Sequence, residues 1–150
     1  MSVIIETHLA PSSYLRALRA DVLAGLTAVP KTLPPKWFYD QRGSALFEEI
    51  TRLAEYYLTR TERSLLREHA ADIARVTRAQ TLVELGSGAS DKTRLLLSAL
   101  RHAGTLRRFV PVDVDPTILR SASAAIAHEF PDLQVQGCLL YTSPSPRDRS

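Results

Sequence analysis

Residues 81–93 read TLVELGSGASDKT, and this stretch limits the fold more than any other part of the chain. A short apolar run, Leu82-Val83-Glu84-Leu85, gives way to the glycine pair Gly86 and Gly88 and then to a helical pattern in which Leu95, Leu96 and Leu100 recur. Glycine supplies backbone conformations that other residues reach only under strain. A strand, a glycine turn and a helix in that order form the first half of a βαβ unit, and its turn lies where parallel sheets bind their ligands.

The flanking pattern extends the unit. Residues 108–114, RFVPVDV, form a second expected strand, with Pro111 pointing to an irregular or edge position because proline cannot donate to a ladder. Asp115-Pro116 has the cap-then-proline form of a helix start, and residues 133–136 begin a third strand. Strands alternating with helices imply a parallel, doubly wound α/β sheet, here incomplete with two or three strands. Upstream, Leu15, Leu18, Val22 and Leu26 predict an amphipathic helix over residues 12–26, capped by Ser12. The proline-rich residues 28–36, AVPKTLPPK, are expected to be extended. A short helix is expected over 44–52. Thr59-x-x-Glu62 then has the form of a capping box and opens a helix to about Val76, with Leu65, Leu66, His69, Ile73 and Val76 near one face. His69 is read as a boundary residue, and no metal site is expected, because no second metal-type residue stands at a useful spacing.

The glycine turn can be put to three ligand chemistries. As a phosphate loop, residues 86–93 have lysine and threonine in place, but Asp91 occupies the second required glycine and would set a carboxylate and a Cβ against phosphate oxygens. As a dinucleotide fingerprint, Gly86-x-Gly88-x-x-Asp91 lacks its third glycine, which disfavours NAD. A cationic nucleoside without phosphate removes both objections, and S-adenosylmethionine is such a ligand. Acidic residues at strand ends, Glu84 and Asp113, then become assets. Asp113 is expected to accept ribose hydroxyls, although it lies further along than the ~20 residues typical of a dinucleotide fold. Asp115 fits the helix cap better, which leaves Asp113 free for the ligand. Lys92, a cation in a first helical turn where the dipole disfavours it, is expected to pair with a cofactor carboxylate.

Composition narrows the classes. The chain has 150 residues, 45% hydrophobic and 23% charged, which suits one globular domain or part of a larger one. The formal charge is +3, but basic residues are spread among acids, so nucleic-acid binding is not expected. No charged-then-apolar leader and no apolar run near the ~20 residues of a membrane span is seen, so no membrane partner and a cytoplasmic location are expected. The single cysteine, Cys138, agrees with a reducing compartment. Residues 138–148, CLLYTSPSPRD, resemble a transposon-end sequencing adapter translated in frame, and residues 138–150 are read as a non-native tail, the alternative being a natural Ser/Pro-rich linker; either way they are expected to carry no chemistry.

Two further stretches carry a family resemblance. LPPKWFYDQRGSALFEEITRLAEYYLTRTE, residues 33–62, and TLVELGSGASDKTRLLL followed by FVPVDVD resemble the histidine-specific N-alpha-methyltransferases of ergothioneine biosynthesis. The resemblance covers nearly all of residues 12–136. It implies trimethylation of the α-amino group of L-histidine to hercynine, with S-adenosyl-L-methionine as cofactor. It implies that Gly86, Lys92 and Asp113 contact the cofactor, that Tyr56 holds the histidine, and that Tyr39 is a weaker substrate-binding candidate. No firm catalytic residue is implied within this chain. Trp37, Phe38 and Tyr57 are read as core aromatics. Family members carry prolines beside the EYY segment where this chain has Ala54 and Leu58, which would loosen the loop presenting Tyr56.

The expected architecture is α/β: an N-terminal helical segment with a substrate-facing loop, residues 1–78, then the first part of a Rossmann-like methyltransferase sheet, residues 79–137, truncated. The parent enzyme is expected to be a monomer, and the truncated chain inactive. Two other classes are a dinucleotide (NAD) binding module of Rossmann type and a fragment without a stable fold.

Overall fold

The computed structural model describes residues 3–7, 11–38, 40–88, 90 and 92–140, with the side chains of residues 11–13 and 41 outside the description. Strand β1 (Ile4–Thr7) precedes helix α1 (Pro11–Thr27), a 3-10 turn (Pro35–Phe38), α2 (Gln41–Ile50) and α3 (Leu58–Thr77). Then strands and helices alternate: β2 (Thr81–Leu85), α4 (Thr93–His102), β3 (Arg108–Asp113), α5 (Pro116–Glu129) and β4 (Gln134–Leu139). All pairings are parallel, in the order β1-β4-β3-β2.

The sheet therefore has four strands rather than two or three. The extra one, β1, comes from the segment expected to be helical and pairs Ile4–Thr7 with Gln136–Leu139 at the far edge. Strand β4 runs on through Cys138 and Leu139, across the boundary expected after Gly137. Residues 141–150 lie outside the described residues.

Pro111 does not mark an edge: β3 is an interior strand, paired on both sides. Its missing donor is accommodated because the β3–β4 ladder is interrupted there, pairing Phe109 with Val135 and resuming at Val112 with Cys138. Gly137 belongs to that gap. A Cβ there would stand 2.5 Å from Ile5 Cδ1 and 3.1 Å from Ser123 Oγ, so glycine lets β1 and α5 close on the sheet.

One core fills the helix-covered face. Leu97 and Leu100 from α4, Phe109 from β3, Ile126 and Ala127 from α5, and Val135 from β4 are buried together with Ala74 of α3. Sheet coverage is one-sided at β2, where Val83 and Leu85 are exposed. Both crossovers, through α4 and α5, step in the same direction, and right-handed crossovers of that kind put their helices on one face. The described residues thus build the helix layer of one face of the sheet.

Helix α3 buries a different stripe from the one its large residues suggested. Ala70 and Ala74 are buried, whereas Leu65, Ile73 and Val76 are exposed and His69 is half exposed by side chain. Small residues let α3 approach α4 closely, and that packing decides which face turns inward. The capping box does not form either. The helix is capped at Tyr57 without a side-chain hydrogen bond, and Glu62 is engaged elsewhere. Two other caps use aspartate: Asp40 Oδ1 accepts from Gly43 N at 2.7 Å, and Asp115 Oδ1 accepts from Thr117 N and Ile118 N, as its sequence position predicted. Helix α1 starts at Pro11, and the Ser12 side chain is outside the described residues.

Phe38 and Tyr57 are exposed, so they are not core aromatics. Trp37 does pack, edge-on against Tyr14 with ring centroids 5.3 Å apart, and its indole N–H donates to Asp21 Oδ2 at 2.9 Å. Lys36 joins the same carboxylate at 2.8 Å and, with the indole, holds the Asp21 carboxyl below its ordinary range.

Candidate functional site: a glycine turn over two carboxylates

The turn after β2 is built from positive-φ residues: Gly86 at 68°, Gly88 at 48° and Ser90 at 55°. A Cβ at either glycine would meet no atom within 4 Å, so the demand for glycine there is conformational and the space above the turn is open. The turn's amides point inward. Gly86 N and Ser87 N both donate to Val112 O, at 2.8 and 3.1 Å, Ser90 N donates to Ser87 O, and Gly88 N donates to Asp113 Oδ2 at 2.8 Å. A phosphate loop works by offering such amides to oxygen anions. Among the described residues of this turn they are already spent.

What the turn sits on is acid. Glu84, near the end of β2, is half-buried and accepts from Ser90 Oγ at 3.1 Å and from Thr93 Oγ1. Burial raises its carboxyl pKa above the ordinary value, while those two hydroxyls and the nearby Lys92 ammonium pull it back. Asp113, at the end of β3, takes three backbone N–H groups: Gly88 on Oδ2, and Val114 at 2.7 Å and Asp115 at 3.0 Å on Oδ1. Two strand-end carboxylates beneath an open turn make a surface suited to a cation and to hydroxyl donors.

The structure thus gathers Gly86, Asp113 and Lys92 around one turn, and it corrects the expectation that Asp113 is free. A carboxylate has about four acceptor positions, of which three are taken, so one remains on Oδ2 and a pair of ribose hydroxyls could not both be taken without displacing an amide. Lys92 is likewise occupied, its ammonium bonded to Glu62 Oε2 of α3. Ser87 Oγ is buried without a protein partner, an unused polar atom inside the turn. These features fit an uncharged-sugar, cationic cofactor: acid and hydroxyl acceptors are present, and the amides of Gly86, Ser87, Gly88 and Ser90 are already engaged.

Tyr56 lies in the loop before α3, half-buried, with its ring edge-on to Phe47 of α2 at 6.1 Å. Its N–H donates to Leu53 O at 3.2 Å. Arg60 pins the same loop, donating to Leu53 O at 2.8 Å and Ala54 O at 2.6 Å. The loop lacking prolines is therefore tied by a guanidinium. Tyr56 and Glu62 are no more than about 14 Å apart by Cα path, two loop steps and one helical turn. Tyr39 is outside the described residues. The contacts that sequence reasoning missed are Ser90 and Thr93 on Glu84, Arg60 on the loop, and Glu62 on Lys92. Thr93 and Ser90 sit within the quoted motif, but Glu62 is 30 residues from Lys92 and no local pattern links them.

Fold and turn together define an α/β protein with a parallel sheet and two strand-end carboxylates, Glu84 and Asp113, beneath a glycine turn. Residues 18–142 match the model of the histidine-specific, SAM-dependent methyltransferase family, and the chain belongs to that family. It is 58% identical over 135 residues to a histidine N-alpha-methyltransferase of Mycolicibacterium smegmatis, covering 90% of this chain and 42% of that protein. A histidine N-alpha-methyltransferase of Mycobacterium tuberculosis is 54% identical over the same shares. Ergothioneine biosynthesis protein 1 of Neurospora crassa is 39% identical over 65% of this chain and 11% of its own length. The chain thus spans less than half the length of these relatives. Among the described residues, no helix is long and apolar enough to cross a membrane.

Proposed function

We propose that this chain forms the cofactor turn and the substrate-facing arm of an enzyme that transfers methyl groups from S-adenosyl-L-methionine to the α-amino group of L-histidine, ending at hercynine. The observation that carries the proposal is the inward commitment of the Gly86, Ser87, Gly88 and Ser90 amides above two carboxylates. A sulfonium nucleoside suits that surface better than a pyrophosphate, which the engaged amides of Gly86, Ser87, Gly88 and Ser90 do not serve.

Bound there, the cofactor supplies an electrophilic methyl group on a cationic sulfur. The chain's own residues bind and orient. Asp113 Oδ2 offers its remaining acceptor to a sugar hydroxyl, Gly86 keeps the space over the turn clear, and Lys92 offers N–H groups to a carboxylate. Tyr56 presents a neutral phenol, which can orient an amine lone pair without adding a competing charge. Tyr39 is a second, weaker candidate for that work. The enzyme is further proposed to be a cytoplasmic monomer without nucleic-acid or membrane partners, which light scattering and fractionation test.

Calorimetric titration of the chain with S-adenosylhomocysteine and with NAD tests the cofactor. Binding of the first and not the second is expected, and the reverse would overturn the proposal. Transfer of labelled methyl to histidine is expected from the protein extended to the relatives' length and not from the 150 residues alone.

A further inference from the structure

Glu62 stands one turn into α3, and its carboxylate accepts from the ammonium of Lys92, which occupies the cap position of α4. That position is unfavourable for a cation, because the helix dipole is positive there, and Lys92 makes no capping hydrogen bond to relieve it. A lysine free to choose would swing into water and keep its rotamer freedom. Instead its ammonium is held between α3 and the glycine turn, close enough to Glu84 to be felt by that carboxyl.

Fold stability does not account for the pair. The α3–α4 contact already closes over Ala70 and Ala74, and the pair is partly exposed, with side-chain exposures of 35% for Lys92 and 54% for Glu62. Exposed pairs of this kind add little to stability. An ammonium has three donors, and among the described residues only Glu62 takes one, which leaves two N–H groups for a second anion.

Building on the proposed function, we infer that Glu62 is a positioning residue: it holds Lys92 Nζ at the mouth of the turn so that the free N–H groups meet the carboxylate of the cofactor's amino-acid end. The α3 helix then links two parts of the site, since its first turn also carries Arg60, which ties down the Tyr56 loop.

The test is calorimetric titration of the chain with two ligands that share the thioether nucleoside, S-adenosylhomocysteine and methylthioadenosine, of which only the first bears a carboxylate. Glu62→Gln is expected to weaken S-adenosylhomocysteine by roughly fivefold, the upper range for a partly exposed pair, and to leave methylthioadenosine unchanged. Lys92→Met is expected to weaken S-adenosylhomocysteine at least as much, and Glu62→Gln added to it to do nothing more. Circular dichroism melts guard against a folding defect. Equal losses for both ligands, no loss for either, or tighter S-adenosylhomocysteine binding by Glu62→Gln would overturn the inference while leaving the proposed function standing. A wild-type chain that binds neither ligand removes the proposed function itself, and the role of Glu62 with it.

Discussion

Asp113→Asn separates the structural work of this residue from any ligand. In the wild type, Oδ1 takes the amides of Val114 and Asp115 and Oδ2 takes that of Gly88. An asparagine has one acceptor oxygen. Turned to keep the two amides at the strand end, it sets its NH2 against the Gly88 N–H, donor against donor, and the turn loses its tether. A hydrogen bond to a charged acceptor contributes about 1.5–3 kcal/mol, and half-burial of Asp113 puts this one near 1.5 kcal/mol. Local opening of the turn should then become about tenfold more frequent, since ~1.4 kcal/mol is a factor of ten. Hydrogen exchange followed by NMR reads this directly: the Gly88 amide should exchange about tenfold faster in the variant. The Phe109 and Ile126 amides, in β3 and α5, should change only with global stability. An unaltered Gly88 rate would refute the assignment of Asp113 as the clamp of the turn, and a uniform increase would mean that the substitution weakens the whole sheet.

Three other outcomes are expected. Gly137→Ala sets a methyl 2.5 Å from Ile5 Cδ1, the flexible end of a side chain that can turn aside, and 3.1 Å from Ser123 Oγ, and should cost about 1 kcal/mol in urea unfolding, with β1 amides losing most protection; a loss spread evenly over the sheet would mean that β1 does not take the strain. Burial raises the Glu84 carboxyl above its ordinary 4.5, so folding favours its protonated form, and this contribution to stability is largest at low pH and declines as pH rises upward from 4.5. The stability of wild type minus that of Glu84→Gln should therefore fall with rising pH, and a rise would contradict the assignment. Arg60→Ala frees the carbonyls of Leu53 and Ala54, and the Tyr56 amide should exchange several-fold faster, as for loss of ~1 kcal/mol of tethering; unchanged exchange would show that Phe47 alone holds the loop.

Elements with local causes were legible in the sequence. The turn after β2 follows from Gly86 and Gly88, and the start of α5 follows from an aspartate beside a proline, a pattern satisfied within four residues. Ligand class was also partly legible, because Asp91 stands where phosphate chemistry needs glycine. The family stretches around Tyr56 and Gly86 were recognisable for the same reason: they are contiguous. The inward stripe of α3 was not legible. Apolar spacing offered Leu65, Ile73 and Val76, and the close approach of α4 selected Ala70 and Ala74 instead. Nor was β1, whose four residues carry little pattern and are held by pairing with β4 more than a hundred residues away.

The sequence by itself determined the alternation of strands and helices from β2 to β4, the glycines of the turn and the acid near each strand end, because these depend on neighbours along the chain. Only the tertiary structure decided how those acids are used. Glu84 collects Ser90 and Thr93 from its own motif, whereas Asp113 clamps Gly88 and Lys92 turns to Glu62, partners 25 and 30 residues away that packing brings near. Hydrogen bonds and charges act over a few ångströms of space, and separation along the chain does not enter them.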